Sequence, residues 1–186
     1  MKKIKEEVLG EGDWIKLLRS TFLDPQGKSF FWEHIDRKNN KHAVLILATF
    51  EPSGDVLLIK QFRPGVNDFV LALPAGIVEH SLDEVHKDAV RELQEETGYL
   101  GEVTEISPVL SSFPALSDAS VQLVQMTIDE NLSINQNPQQ DLELGEIIET
   151  LRVPRRDIKS FLLKEAQQGT IIVSGLWYLF AFNPHN

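Results

Sequence analysis

Short stretches of alternating apolar and polar residues run through the first 75 positions, give way to a helical period, and then resume. Trp14 to Phe22 and Ser29 to Asp36 are rich in aromatic and β-branched residues. Asp24-Pro25-Gln26-Gly27 between them has turn chemistry, so 13–37 predicts a β-hairpin. Ala43 to Phe50 and Val56 to Gln61 predict two more strands around the turn residues Pro52-Ser53-Gly54-Asp55, and Val70 to Leu73 a short one before Pro74. From Asp83 to Thr97, Val85, Ala89, Val90 and Leu93 recur every three or four residues with charges between them. That spacing predicts an amphipathic helix, ended by Gly98 as its C-terminal cap. Strands are expected again at Glu102 to Ser112 and Val121 to Ile128, then a polar loop over 129–149 passing into strand at Ile147 to Val153. Helices near Arg155 to Gln168 and Ser174 to Phe182 close the chain. Strands outnumber helices and one helix lies in the middle, so the class is α+β, with mixed sheets and helices packed on them.

Composition narrows the setting. The 186 residues, 42% apolar and 25% charged, suit one globular domain with a real core. The absence of cysteine excludes thiolate nucleophiles, Cys-ligated zinc and a disulfide scaffold, and fits a reducing cytoplasm. No apolar run follows the N-terminal lysines, and the longest apolar stretch, Ile171 to Phe182, is too short to span a bilayer. A soluble, cytoplasmic protein is expected.

Charge is distributed unevenly. Acids outnumber bases 28 to 18, for a net charge of -10, which argues against nucleic-acid polymers and anionic membranes as partners. Seven of the acids lie in 76–98 against two bases, and six lie in 129–151 with none, so the rest of the chain is close to neutral. Glu92, Glu95 and Glu96 stand at i, i+3 and i+4 on one helical face, where like charges repel. A hard divalent cation such as Mg²⁺ would turn that repulsion into attraction. A solvated acidic face is the plain alternative.

Residues 76–99, GIVEHSLDEVHKDAVRELQEETGY, resemble the Nudix box: a glycine, an acidic residue, then R-E-apolar-x-E-E-x-G-apolar. Gly76, Arg91, Glu92, Leu93, Glu95, Glu96, Gly98 and Tyr99 fall on the pattern. Asp83 takes the first acidic position, one residue further from Gly76 than is usual. The resemblance implies a Nudix fold, mixed β-sheets sandwiched by helices. It implies Mg²⁺ as cofactor, with Mn²⁺ as an alternative, held mainly by Glu92 and Glu96 and further by the backbone carbonyl of Ala75, with Glu95 adding a ligand or pairing with Arg91. Arg91 would then hold the glutamate face in place.

The likeness extends beyond the box. VLLIKQFRPGVNDFVLALPAG at 56–76 resembles the lead-in of the ADP-ribose and ADP-sugar pyrophosphatases, with Arg63 at their diphosphate-contacting arginine and Ala72 where they carry glutamate. Pro114 lies where they place a proline, but Phe113 and Ala115 replace its serine and glycine neighbours. EGDW at 11–14 and TFLDPQGKSFFWEHIDR at 21–37 resemble their N-terminal arm. There, two tryptophans from different subunits sandwich the base; Trp14 and Trp32 match them, Glu33 matches the residue beside the base edge, and Arg37 ends the matching stretch.

This implies an arm over 1–40, a Nudix domain over 41–186, and a homodimer with exchanged N-terminal strands. DLELGEIIETL at 141–151 aligns with the family's catalytic loop, making Glu146 the residue that positions or deprotonates water, with Glu143 the alternative. The implied activity is hydrolysis of nucleoside diphosphate sugars, ADP-ribose to AMP and ribose 5-phosphate first. GDP-mannose or a broad substrate range is the alternative, and a non-catalytic ligand sensor the rival of another class.

Overall fold

The computed structural model describes residues 1–38 and 42–182. The expected boundary between arm and main domain, at 40/41, lies outside the described residues. The arm is a three-stranded antiparallel sheet in the order β1 (Lys2–Glu11), β2 (Ile15–Leu23), β3 (Ser29–Arg37). The expected hairpin is β2–β3, its turn closed by Asp24, which accepts the backbone N–H groups of Gln26 and Lys28. Strand β1 is an addition to the sequence expectation. It has no buried residue, so KKIKEEVLGE carries no one-sided apolar alternation to announce it.

The main sheet is built from β4 (His42–Glu51), β5 (Val56–Arg63), β6 (Asp68–Ala72), β7 (Ala75–Ile77), β8 (Glu102–Ile106), β9 (Leu110–Ser111), β10 (Ser120–Asp129), β11 (Ile148–Val153) and β12 (Ile171–Ile172). Its spine runs β12-β6-β5-β4-β10-β8, with β11 on β5, β7 on β4 and β9 on β10. It is mixed: β4–β10 and β6–β12 are parallel, the rest antiparallel. The expected single strand 102–112 is broken at Ser107-Pro108, where proline offers no N–H. The Ser107 hydroxyl bonds the Pro108 carbonyl. Strands β7 and β12 are too short to show a period.

Helices cover both faces. Helix α1 (Val85–Thr97), preceded by a 3₁₀ turn at Leu82–Glu84, packs Val85, Ala89 and Leu93 against Val44, Ile46, Ala48 and Phe50 of β4 and Val124 and Met126 of β10. A short α2 (Ser133–Gln136) lies within the expected loop. Helices α3 (Ile158–Gln167) and α4 (Ser174–Phe180) place Ile158, Leu162, Leu176 and Phe180 on the opposite face with Leu47, Leu58 and Leu71. Two-sided covering explains the near-continuous apolar run of β4. Among the described residues no helix is long and apolar enough to cross a membrane.

The arm meets the main domain along β3. Ile35 N–H donates to the Leu116 carbonyl at 2.7 Å, and the Trp32 indole N–H to that of Ala115 at 2.7 Å.

Candidate active site

Helix α1 presents its glutamates to β7, and two glycines make this arrangement fit. Gly76 pairs with Val44 of β4, and a Cβ built on it would fall 1.8 Å from Glu92 Cδ. Only a residue without a side chain lets that carboxylate rest against the strand. Gly98 ends α1 at φ +76°, donating its N–H to the Gln94 carbonyl. A Cβ there would strike Gln139 N at 2.4 Å. The segment after Asn137 therefore lies flat on the end of the helix.

The loop before α1 is held by Asp88, which is fully buried. It accepts the backbone N–H of Glu79 at 3.2 Å and of His80 at 3.3 Å, and its Oδ1 meets His80 Nδ1 at 2.9 Å. Burial works against its charge, but these hydrogen bonds outweigh it and hold the carboxyl below its ordinary range. Asp88 is a structural anchor.

Arg91 ties the glutamate face together. Its guanidinium donates to Glu95 Oε2 at 2.7 Å, Glu92 Oε1 at 2.9 Å and the Ile77 carbonyl at 3.3 Å. Glu96, 3% exposed, accepts the Ala75 N–H at 2.9 Å. Burial pushes its carboxyl up to about 8. The Ala75 N–H opposes that rise, and the negative charges of Glu92 and Glu146 add to it. Burial also raises Glu92; Arg91 counters this, while Glu95 and Glu146 reinforce it. Both carboxyls thus ionise less readily than a free glutamate.

A cleft of about 530 Å³ opens over this face. Glu92, Glu95, Glu96, Glu143, Glu146, Ala75 and Arg91 line it, with Arg63 from the end of β5 and Arg37 and Trp14 from the arm. Trp14 and Arg37 arrive together because the Lys38 N–H donates to the Trp14 carbonyl at 3.0 Å and Ile15 pairs with Arg37. Ala43, Ile77 and Glu79 also line the cleft. The sequence reveals Glu79 only as one acid among seven; β7 is what brings it there.

Three expected residues lie elsewhere in a single chain. Trp32 and Pro114 line a second cleft of about 740 Å³ between the arm and the 114–118 loop. Glu33 is paired with Arg19 across β2–β3, at 2.5 Å. One chain therefore brings Trp14, and not Trp32, to the glutamates.

The donor set fits a hard divalent cation: carboxylate oxygens, mutual repulsion, and a glycine-floored cradle for Glu92. Among the described residues no three metal-ligating side chains converge as a preformed cluster. Glu92 is turned toward Arg91 and Glu96 toward the Ala75 N–H.

Comparison with known proteins identifies relatives over most of the chain. Residues 39–171 match the model of the NUDIX domain. The chain is 35% identical to the mouse ADP-sugar pyrophosphatase over 160 residues, 82% of this chain and 73% of that one. It is 31% identical to the Saccharomyces cerevisiae ADP-ribose pyrophosphatase over 164 residues, 84% of this chain and 71% of that one. A crystal structure of an ADP compounds hydrolase superposes with a TM-score of 0.63 over 91% of this chain and 96% of that one; at 16% identity this speaks for the fold alone.

Proposed function

The chain belongs to the Nudix family, and from that premise we propose that it is a divalent-metal-dependent pyrophosphatase of nucleoside diphosphate sugars, with ADP-ribose as its first substrate. The observation that carries this reading is the cleft in which Glu92, Glu95, Glu96 and Glu146 face Arg63 and Trp14. With Arg37 also on its lining, it offers one wall for cations, two guanidinium groups for a diphosphate and one aromatic face for a base.

Glu92 and Glu96 would hold the metal, with Glu95 and the Ala75 carbonyl as further ligands. Once bound, Mg²⁺ or Mn²⁺ supplies Lewis acidity toward water and charge neutralisation for the diphosphate. Glu146 orients the attacking water and accepts its proton; Glu143 is the alternative in the same loop. Arg63 and Arg37 bind diphosphate oxygens. Water adds to one phosphorus, the bond from that phosphorus to the bridging oxygen breaks, and two monophosphates leave: AMP and ribose 5-phosphate from ADP-ribose. Such a reaction needs positioning and charge compensation and no covalent intermediate.

Ala72, on β6, favours a second reading, GDP-mannose or a broad substrate range, since it removes a carboxylate that the ADP-ribose type carries.

The arm serves as a dimerisation element. Ile4, Val8, Leu9, Ile15, Leu17 and Phe31 are exposed on it, and Trp32 sits apart from Trp14, as a base pocket shared between two chains requires. A hydrolysis panel with Mg²⁺ and Mn²⁺ over ADP-ribose, GDP-mannose, UDP-glucose and a dinucleoside polyphosphate tests the substrate class. Activity confined to the last overturns it. Wild-type turnover by both Glu92→Gln and Glu96→Gln overturns the metal assignment. A purely monomeric sedimentation profile overturns the dimer.

A further inference from the structure

The 141–147 loop carries both glutamates assigned to water, and it begins and ends at a single side chain. Gln140 Nε2 lies 2.6 Å from the Glu96 carbonyl oxygen and 3.2 Å from that of Ile148. An amide NH₂ has two hydrogens, and both partners here are carbonyl acceptors. The nitrogen, not the oxygen, must therefore face them, and both donors are used.

These two acceptors belong to different parts of the site. The Glu96 carbonyl is one of the last of α1, where helical carbonyls lack intrahelical partners. Its neighbour, the Glu95 carbonyl, takes the Asp141 N–H at 2.9 Å. Ile148 is the first residue of β11, in register with Gln61 of β5, and the preceding Ile147 carbonyl accepts the Phe62 N–H at 3.1 Å. Strand β5 ends at Arg63. One amide thus joins the helix that carries Glu92, Glu95 and Glu96 to the strand pair that delivers Arg63, and closes the loop between them.

We propose that Gln140 is a positioning residue for Glu146 and Glu143: its two hydrogen bonds fix both ends of their loop against the end of the metal helix. The inference rests on the assignment of water activation to that loop. Within it, the Glu143 N–H donates to Glu146 Oε2 at 3.0 Å and the Glu146 N–H to the Glu143 carbonyl at 3.1 Å, so the two glutamates form a small closed turn. The turn is braced internally and, among the described residues, anchored at its ends, so the anchors decide where its carboxylates point. Displacements near 1 Å at such groups can cost about a hundredfold in rate.

The test compares Gln140→Ala and Gln140→Glu with the wild type on the diphosphate sugar it turns over fastest. The glutamate substitution keeps the length but sets an acceptor against two carbonyls. Expected is a fall in kcat of about 10- to 100-fold with KM within about twofold, and unchanged Mn²⁺ affinity measured by electron paramagnetic resonance. In a Glu143→Gln/Glu146→Gln background, Gln140→Ala should cost nothing further. Amide hydrogen exchange, read on the same proteins, should quicken across 141–147 and stay unchanged in α1.

Unchanged kcat in both Gln140 variants, or an equal loss in the double-glutamine background, overturns the positioning role. Weakened Mn²⁺ binding does so too, by making Gln140 a support of the helix instead. Wild-type turnover by Glu143→Gln/Glu146→Gln overturns the loop assignment itself, a result independent of the Gln140 variants.

Discussion

Gly76 lies directly against the carboxylate of Glu92, so close that a Cβ on Gly76 would stand 1.8 Å from Glu92 Cδ. The obstructed atoms are the far end of a flexible side chain. Gly76→Ala should therefore fold, with Glu92 turned out of its cradle. Activity is expected to drop by about a hundredfold with a melting temperature within a few degrees of wild type. Paired kinetic and calorimetric measurements check this; a full-rate Gly76→Ala enzyme would remove Glu92 from the metal site.

Gly98 predicts the opposite pattern. Its φ of +76° disfavours any side chain, and the obstruction is the backbone of Gln139 at 2.4 Å, which cannot rotate away. Gly98→Ala should lose stability by more than about 2 kcal/mol in urea unfolding. A neutral result would mean that the 137–141 segment does not dock on the helix as described.

These two glycines mark how far the sequence alone could be read. Helix α1 was legible because its period, its flanking glycines and its glutamates coincide in one contiguous stretch. The strands β2, β3, β4, β5 and β10 were legible from alternation or apolar runs bounded by turn residues. Strand β1 was not, because its few apolar residues, Ile4, Val8 and Leu9, follow no regular alternation, none of its residues is buried, and it borrows its order from β2. Strand β7 was not, because three residues cannot show a period; pairing with β4 makes it a strand, and that pairing carries Glu79 and Ile77 into the cleft. The role of Gln140 depends on two carbonyls, one 44 residues before it and one eight after, which no local pattern encodes.

The Arg152 cluster offers a pH test away from the site. Arg152 donates to Glu130 Oε2 and Asp55 Oδ2, both at 2.7 Å, and stacks over Phe50. The Ser53 hydroxyl and the Arg152 guanidinium hold the Glu130 carboxyl down to about 2. A depressed carboxyl binds its proton less readily in the folded state. Its stabilisation is present above about 4.5 and is lost as pH falls toward 2. Glu130→Gln should therefore melt below wild type by a constant gap from pH 8 to 5, and that gap should narrow at lower pH. A gap that stays constant down to pH 3 would contradict the assignment.

Trp14 and Trp32 line different clefts of one chain, so a shared base pocket makes a prediction that no single-chain site would. Each tryptophan contributes one stacking face, and losing either should raise KM by about tenfold, within the 1–3 kcal/mol that base stacking supplies. Trp14→Ala and Trp32→Ala should therefore be similarly impaired when pure. Refolded together, they form mixed dimers in which one pocket has lost both faces and the other has both intact. With equal mixing, half the dimers are mixed, and about a quarter of all pockets regain wild-type affinity, as the two-fold symmetry of a dimer requires. Titrating the mixture with substrate would reveal that tight fraction as a separate phase. A mixture that behaves as the plain average of its parents would place the whole base pocket within one chain, and Trp14 alone would then be its stacking face.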